Sequence, residues 1–140
     1  MAELGKNAFV LEVVTPARLL VSEEVAELVA PGSEGYFGVL PGHAPFMTTL
    51  KIGELTYWRG REERHLSVAW GYAEVRPEKV VILAEMAERA EEIDVERAEA
   101  ARRRAEERLR QWGGEKTDFA RAQAALQRAL TRLTVAAKGQ

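Results

Sequence analysis

Ile93-Asp94-Val95-Glu96-Arg97-Ala98-Glu99-Ala100-Ala101-Arg102-Arg103-Arg104-Ala105-Glu106-Glu107-Arg108-Leu109 is where the chain changes character. Before it, apolar residues alternate or come in short β-branched runs; after it they recur every three or four residues. Asp94 suits an N-cap, because its carboxylate accepts an orphan amide and its charge favours the positive end of a helix. Ala, Glu, Arg and Leu fill the interior, and no Gly or Pro intervenes before Gly113, so the spacing predicts a helix from Asp94 to about Trp112. Apart from Val95, its inward candidates Ala98, Ala101 and Ala105 are small, and only Leu109 and Trp112 are large. Such a helix forms readily and grips its surroundings weakly.

Gly113-Gly114 ends that helix, and Thr117 or Asp118 is the expected cap of a second. The second stripe is Phe119, Ala122, Leu126, Ala129 or Leu130, Leu133 and Ala137. A short loop between amphipathic helices makes an antiparallel hairpin. About six large apolar residues contribute roughly 1.5–3 kcal/mol each when buried. Ordering the backbone costs roughly 1–2 kcal/mol per residue. The hairpin is therefore marginal without a partner or ligand.

Upstream, Phe9–Val14, Leu19–Ser22, Val25–Ala30, Tyr36–Leu40, Phe46–Leu50, Glu54–Arg59, Arg64–Ala69, Gly71–Arg76 and Val80–Leu83 read as short strands between turns. Their spacing predicts a β-sandwich or barrel. Pro31–Pro45 is the densest turn region, residues 1–7 read as a loose leader, and Glu85–Glu92 reads as an acid-rich linker. The fold class is thus β followed by α in two domains: a sandwich over residues 1–88 and a helical hairpin over residues 89–140.

The 140 residues carry a net charge of −2. Residues 1–93 hold 9 basic and 15 acidic side chains, and residues 94–140 hold 11 basic, 9 of them Arg, and 7 acidic. The basic tail either meets something negative or is a solvated face laced with pairs such as Glu99 and Arg103. With no cysteine there is no disulfide framework or thiolate chemistry, and no run suits a bilayer span or a signal peptide.

Catalytic residues are not apparent. His43 lies in a constrained turn, making a local backbone hydrogen bond or touching a partner. His65 reads as an exposed strand position, and neither histidine has metal-ligand spacing. The Gly32, Gly35 and Gly38 series is neither a dinucleotide fingerprint nor a P-loop. The carboxylates Glu88, Glu91 and Glu92 read as solvated linker. Arg128 and Arg132 are four apart on one helix face, and a folded hairpin brings them toward Arg97 around Asp94. Three such guanidinium forks could hold a phosphate-bearing anion that cross-links the helices.

Gly32-Ser33-Glu34-Gly35, Gly38-Val39-Leu40-Pro41-Gly42-His43-Ala44-Pro45, Glu74-Val75-Arg76-Pro77, Val80–Ala84, Ile93-Asp94-Val95-Glu96-Arg97-Ala98 and Arg121-Ala122 to Ala136 together resemble the epsilon subunits of bacterial F-type ATP synthases. The resemblance runs in family order from Phe9 to Ala136. It implies a non-catalytic subunit of the central rotor stalk, peripheral on the cytoplasmic face of the membrane. Its implied partners are the gamma subunit, the c-ring and the alpha/beta catalytic head of a proton-driven motor. The implied hairpin either folds on the sandwich or extends along gamma and inhibits ATP hydrolysis.

In some members the folded hairpin binds regulatory ATP. The matching positions are Ile93, Asp94, Arg97, Ala98, Arg128 and Arg132, with Glu88 and Arg104 as further candidates; the part played by magnesium is left open. The c-ring contact is implied at Glu34, Tyr36 and His43, although many members have Glu where Tyr36 stands. The family's usual Ser-Gly is Ala69-Trp70 here, and Trp70 either fills space against gamma or covers the sandwich. A different class of reading is a β-sandwich adaptor whose hairpin pairs with another coiled coil. The acidic body, and a tail without interleaved surface aromatics, argue against nucleic acid as partner.

Overall fold

The computed structural model describes residues 7–139. Nearly all of the expected leader, and the last residue of the expected hairpin domain, lie outside them. Eight strands come first: β1 (Phe9–Val14), β2 (Leu19–Val25), β3 (Glu27–Gly32), β4 (Gly35–Val39), β5 (Phe46–Leu50), β6 (Gly53–Arg59), β7 (Glu62–Val75) and β8 (Lys79–Arg89). A 3-10 turn (Ala90–Glu92) leads into helices α1 (Val95–Arg110) and α2 (Lys116–Gly139). The β-sandwich followed by two helices is the fold class expected.

The strands run β2-β1-β8-β7-β5-β3-β4, and β6 bridges β3 and β7. All pairs are antiparallel except β1 with β8. Alternation supplies the core. Phe9, Leu11 and Val13 of β1 face inward, as do Leu66 and Val68 of β7 and Val80, Ile82 and Ala84 of β8. Tyr57 closes the core rim by donating its hydroxyl hydrogen bond to Glu23.

β7 is the long member because it carries neighbours on both sides. β8 pairs with both of its halves, while β6 pairs with Glu62–Val68 and β5 with Gly71–Val75. Between the halves the backbone turns left-handed at Trp70 (φ +57°) and Gly71 (φ +114°). Two strands were expected here, separated by Trp70; the structure joins them through this kink. Gly71 is required there, since a Cβ would meet the Leu83 carbonyl oxygen and lie 2.9 Å from the Ala84 Cα.

The expected linker Glu85–Glu92 is instead mostly strand. β8 continues to Arg89 because its amides and carbonyls pair with Leu66–Ala69 of β7, and ladder pairing overrides low β-propensity. Val25–Ala30 is divided at Ala26, whose amide bonds the Trp58 carbonyl at 2.7 Å. The second helix begins at Lys116, ahead of either expected cap.

Asp94 caps α1 as expected, accepting the Arg97 amide at 3.1 Å. α1 buries only Ala98 and Ala105, against Ala122 and Ala129 among the buried residues of α2. Ala101 and Leu109 are half-buried and Trp112 is 44% exposed, so the expected inward stripe is still thinner than its sequence suggested. α2 carries the contacts to β6, β7 and the 3-10 turn, and α1 packs on α2. At the far end the stripe also differs: Val135 and Ala136 are buried against Ala90 and Ile93, whereas Ala137 and Leu130 are exposed. The 3-10 turn beneath α2 selects that face. On α1, Arg102 rather than Arg103 pairs with Glu99, at 2.7 Å, and also with Glu106, at 2.5 Å.

Gly71→Ala is expected to lower the unfolding free energy by about 3 kcal/mol or more, since backbone strain and a carbonyl clash combine. Gly60→Ala, at φ +60° with open space around it, should cost only about 1–2 kcal/mol. Urea unfolding of both variants measures the difference, and equal losses would show that the Leu83 carbonyl is not limiting.

Candidate functional site

On β7, Leu66 to Ala69 are four consecutive buried residues. A strand covered on one face would bury every second one. Leu66 and Val68 belong to the sandwich core, whereas Ser67 and Ala69 are covered by the hairpin from outside. Those outward residues are small, and their partners on β8 are Glu88 and Met86. Facing them are Ala101 and Ala105 of α1 and Ala125 and Ala129 of α2. Where small side chains oppose each other across a helix–sheet interface, a gap remains. Here it is a cleft of about 640 Å³, within the usual size of small-molecule sites.

Arginines ring this cleft: Arg18 from the β1–β2 connection, Arg104 and Arg108 from α1, Arg128 and Arg132 from α2. Glu85 and Glu88 of β8 are its carboxylates. On each helix the two arginines are four residues apart, one turn, so they share a face. Arg132 forks onto Glu88, with Nε donating to Oε1 at 2.7 Å and Nη2 to Oε2 at 3.3 Å. The Arg128 guanidinium carbon lies 5.1 Å from the Trp70 ring centroid. Arg18 pairs with Glu92 at 2.9 Å. Among the described residues, Arg104 and Arg108 have no carboxylate within ion-pair distance.

The expected site residues are thus divided. Glu88, Arg104, Arg128 and Arg132 line the cleft. Ile93 is buried with Ala90, Val135 and Ala136, and Ala98 is fully buried. Asp94 and Arg97 are exposed and do not line the cleft. The arginines do not gather around Asp94, because that carboxylate is used as the helix cap, Arg132 is drawn to Glu88 and Arg128 to Trp70. Glu88 and Glu92 are correspondingly ion-paired rather than solvated linker.

Reading the sequence missed Arg18 and Arg108, since their approach depends on how the hairpin docks. It also missed a clamp at the end of α2. Lys138 Nζ donates to both oxygens of Glu54, each at 2.8 Å, and His65 Nδ1 lies 2.7 Å from Glu54 Oε1. His65 is therefore not the exposed position expected, its side chain being only 11% accessible. Burial alone would raise the Glu54 carboxyl, but hydrogen bonds from Lys138 and His65 and their charges outweigh it and hold the group below the usual carboxylate range.

The expected rotor-contact residues occupy another part of the sandwich. Glu34 is exposed in the β3–β4 turn, and Tyr36 on β4 is 56% exposed, its hydroxyl accepting the Glu54 amide at 3.1 Å. His43 lies beyond the opposite end of β4 and donates from Nδ1 to the Ala44 carbonyl at 2.6 Å. The length of β4, roughly 3.3 Å per residue, separates it from Glu34.

Residues 8–90 match the family model for the ATP synthase delta/epsilon chain, beta-sandwich domain. Residues 91–137 match the model for its long alpha-helix domain. An ATP synthase epsilon chain of Geotalea uraniireducens is 54% identical over 128 residues, 91% of this chain and 93% of that one. Another, of Nitratidesulfovibrio vulgaris, is 56% identical over 125 residues, 89% of this chain and 92% of that one.

Two solved structures share the fold. One is a chain of the Euglena gracilis mitochondrial ATP synthase, resolved as OSCP, F1 and c-ring. Its TM-score is 0.75 at 24% identity, with 90% of this chain and 79% of that one covered. The other comes from the central stalk and c-ring of the Tetrahymena thermophila mitochondrial ATP synthase, with a TM-score of 0.55 at 10% identity over 98% of each chain. Among the described residues no helix is long and apolar enough to cross a membrane.

The Glu54 clamp gives a signed pH dependence. A lowered carboxyl pKa means that the stabilisation from Lys138 is fully present above the usual carboxylate range and lost as pH falls through the lowered value. Acidification from neutrality through the lowered Glu54 value should lengthen a spin-label distance between the last turn of α2 and the sandwich. In Glu54→Gln the distance should already be longer at neutral pH.

Proposed function

This chain belongs to the delta/epsilon family of ATP synthase chains, a structural and not a catalytic part of that membrane-associated complex, and on that premise we propose that it is a rotor-stalk subunit with a switchable arm. The sandwich unit, residues 1–88, docks on the gamma subunit and the c-ring. The c-ring contact lies around Glu34, Tyr36 and His43, on the cytoplasmic face of a bacterial membrane. It thereby couples proton-driven rotation to ATP synthesis in the alpha/beta head. The hairpin unit, residues 89–140, is regulatory: folded on the sandwich it permits ATP hydrolysis, and extended along gamma it inhibits.

The observation that carries this reading is how lightly the folded hairpin is held beside an arginine-lined cleft. Only Ile93 and Val135 are sizeable in the apolar patch at its base. Each contributes at most about 1.5–3 kcal/mol. The remaining fastenings are the Arg128–Trp70 contact and partly exposed ion pairs, a class that contributes about 0–1 kcal/mol each. A ligand in the cleft would therefore weigh heavily in the balance between folded and extended arms.

Regulatory ATP fits that cleft by charge. Its phosphates would engage Arg104, Arg128 and Arg132, with Glu88 releasing Arg132 to them. Ile93, Asp94 and Ala98 fix the start of α1, and Arg97 is the cation at that end which joins the ligand when it binds. At 100 times its Kd the nucleotide adds about 2.7 kcal/mol to the folded state, more than one of those surface pairs supplies.

Calorimetric titration of the full chain with MgATP should show saturable heat, with shifts at α1 and α2 amides. Arg132→Ala should weaken binding about tenfold, the worth of a charge-assisted hydrogen bond. No heat and no shifts at millimolar nucleotide would exclude ATP sensing. Separately, truncation after Arg89 in the reconstituted complex should raise hydrolysis; an unchanged rate removes the inhibitory role and leaves the coupling role standing.

A further inference from the structure

Trp70 is the one non-glycine residue among those described that has a positive φ, +57°. A bulky residue in that region is costly and persists where its surroundings hold it there. It occupies the kink of β7, the strand whose outward face the hairpin covers, and it is half-buried. Its ring stands 5.1 Å from the Arg128 guanidinium of α2, and indole is the best aromatic partner for a cation.

Four named fastenings join α2 to the sandwich and the 3-10 turn. Lys138 holds Glu54, Val135 and Ala136 cover Ala90 and Ile93, Arg132 holds Glu88, and Arg128 meets Trp70. The first three lie within the last two turns of α2, next to the 3-10 turn through which an opening hairpin must pivot. Arg128 is ten residues before Lys138, about 15 Å along the axis. A contact far from the pivot resists opening with the longer lever.

We propose that Trp70 is a positioning residue that holds the hairpin closed in the absence of ligand, by presenting its ring to Arg128 from the left-handed kink of β7. The strain at Trp70 is then the sandwich's contribution to keeping the arm down. Arg128, already directed to the cleft by the indole, is pre-placed for an anion there. This inference rests on the reading of the hairpin as a mobile arm, and it is independent of nucleotide binding.

The test is hydrogen exchange of α2 amides in the full chain without nucleotide, for Trp70→Gly, Arg128→Ala and the double variant. Glycine adopts this φ freely, so Trp70→Gly should leave the urea midpoint of the sandwich unchanged or raise it. Exchange in α2 from Lys116 to Thr131 should nevertheless quicken about fivefold, within the range of a cation–π contact. The double variant should exchange no faster than either single one.

Unchanged α2 exchange in Trp70→Gly, or effects that multiply in the double variant, would overturn the proposal. Should Trp70→Gly disturb the sandwich itself, Arg128→Ala decides alone, since it lies on the helix: faster exchange supports the contact and unchanged exchange overturns it. The two readings fail separately. Unaltered exchange sinks the role of Trp70 even if truncation after Arg89 releases hydrolysis.

Discussion

β7 can serve the whole sandwich only because its backbone turns left-handed at Trp70 and Gly71. With that turn, one strand pairs with β8 along both halves and splits its other edge between β6 and β5. The closed core follows, with Leu66 and Val68 on one side of the kink and Ala73 and Val75 on the other. The outward face follows too. Ser67 and Ala69 are small enough for helices to approach, and the kink sets Trp70 beneath α2.

Two energetic regimes meet at that face. Below it, full-length side chains are buried in an interlocked sandwich core, where removing a single one costs several kcal/mol. Above it, alanines oppose alanines and arginines reach for carboxylates. Helix–helix contact through Ala98, Ala105, Ala122 and Ala129 brings the backbones close but buries little apolar area. The result is a densely packed platform with a hairpin held on it by a small apolar patch and a few polar contacts. Packing also leaves the cleft: the small residues that ease docking leave a gap, and charged residues rim it.

Much of this was legible from residue order. Asp94 as cap, the arrest of the helix before Gly113-Gly114, the turns around Pro31–Pro45 and the β-then-α division all rest on local chemistry, which acts over a few residues and leaves its mark there. Acid-rich residues 85–89 misled because their strand character comes from the amides of Leu66–Ala69, some twenty residues away. Arg132 and Arg128 were named for their helical spacing, and Arg104 through the family resemblance. Their companions Arg18 and Arg108 were not, since nothing near them in sequence marks the cleft. His65 looked solvent-facing until Glu54 and Lys138 closed over it.

The amino-acid order by itself determined most of the strands and both helices, the charge division between body and tail, and the thinness of the apolar stripe on α1. Periodicity, capping and composition are properties of neighbours, so neighbours suffice to read them. Only the tertiary structure decided where each guanidinium goes. Arg132 reaches a carboxylate 44 residues before it and Lys138 one 84 residues before it, while Arg128 turns to an indole on the kinked strand rather than to Asp94. Long side chains choose among all the partners that folding brings within reach, and that set does not exist until the hairpin has come down on the sandwich.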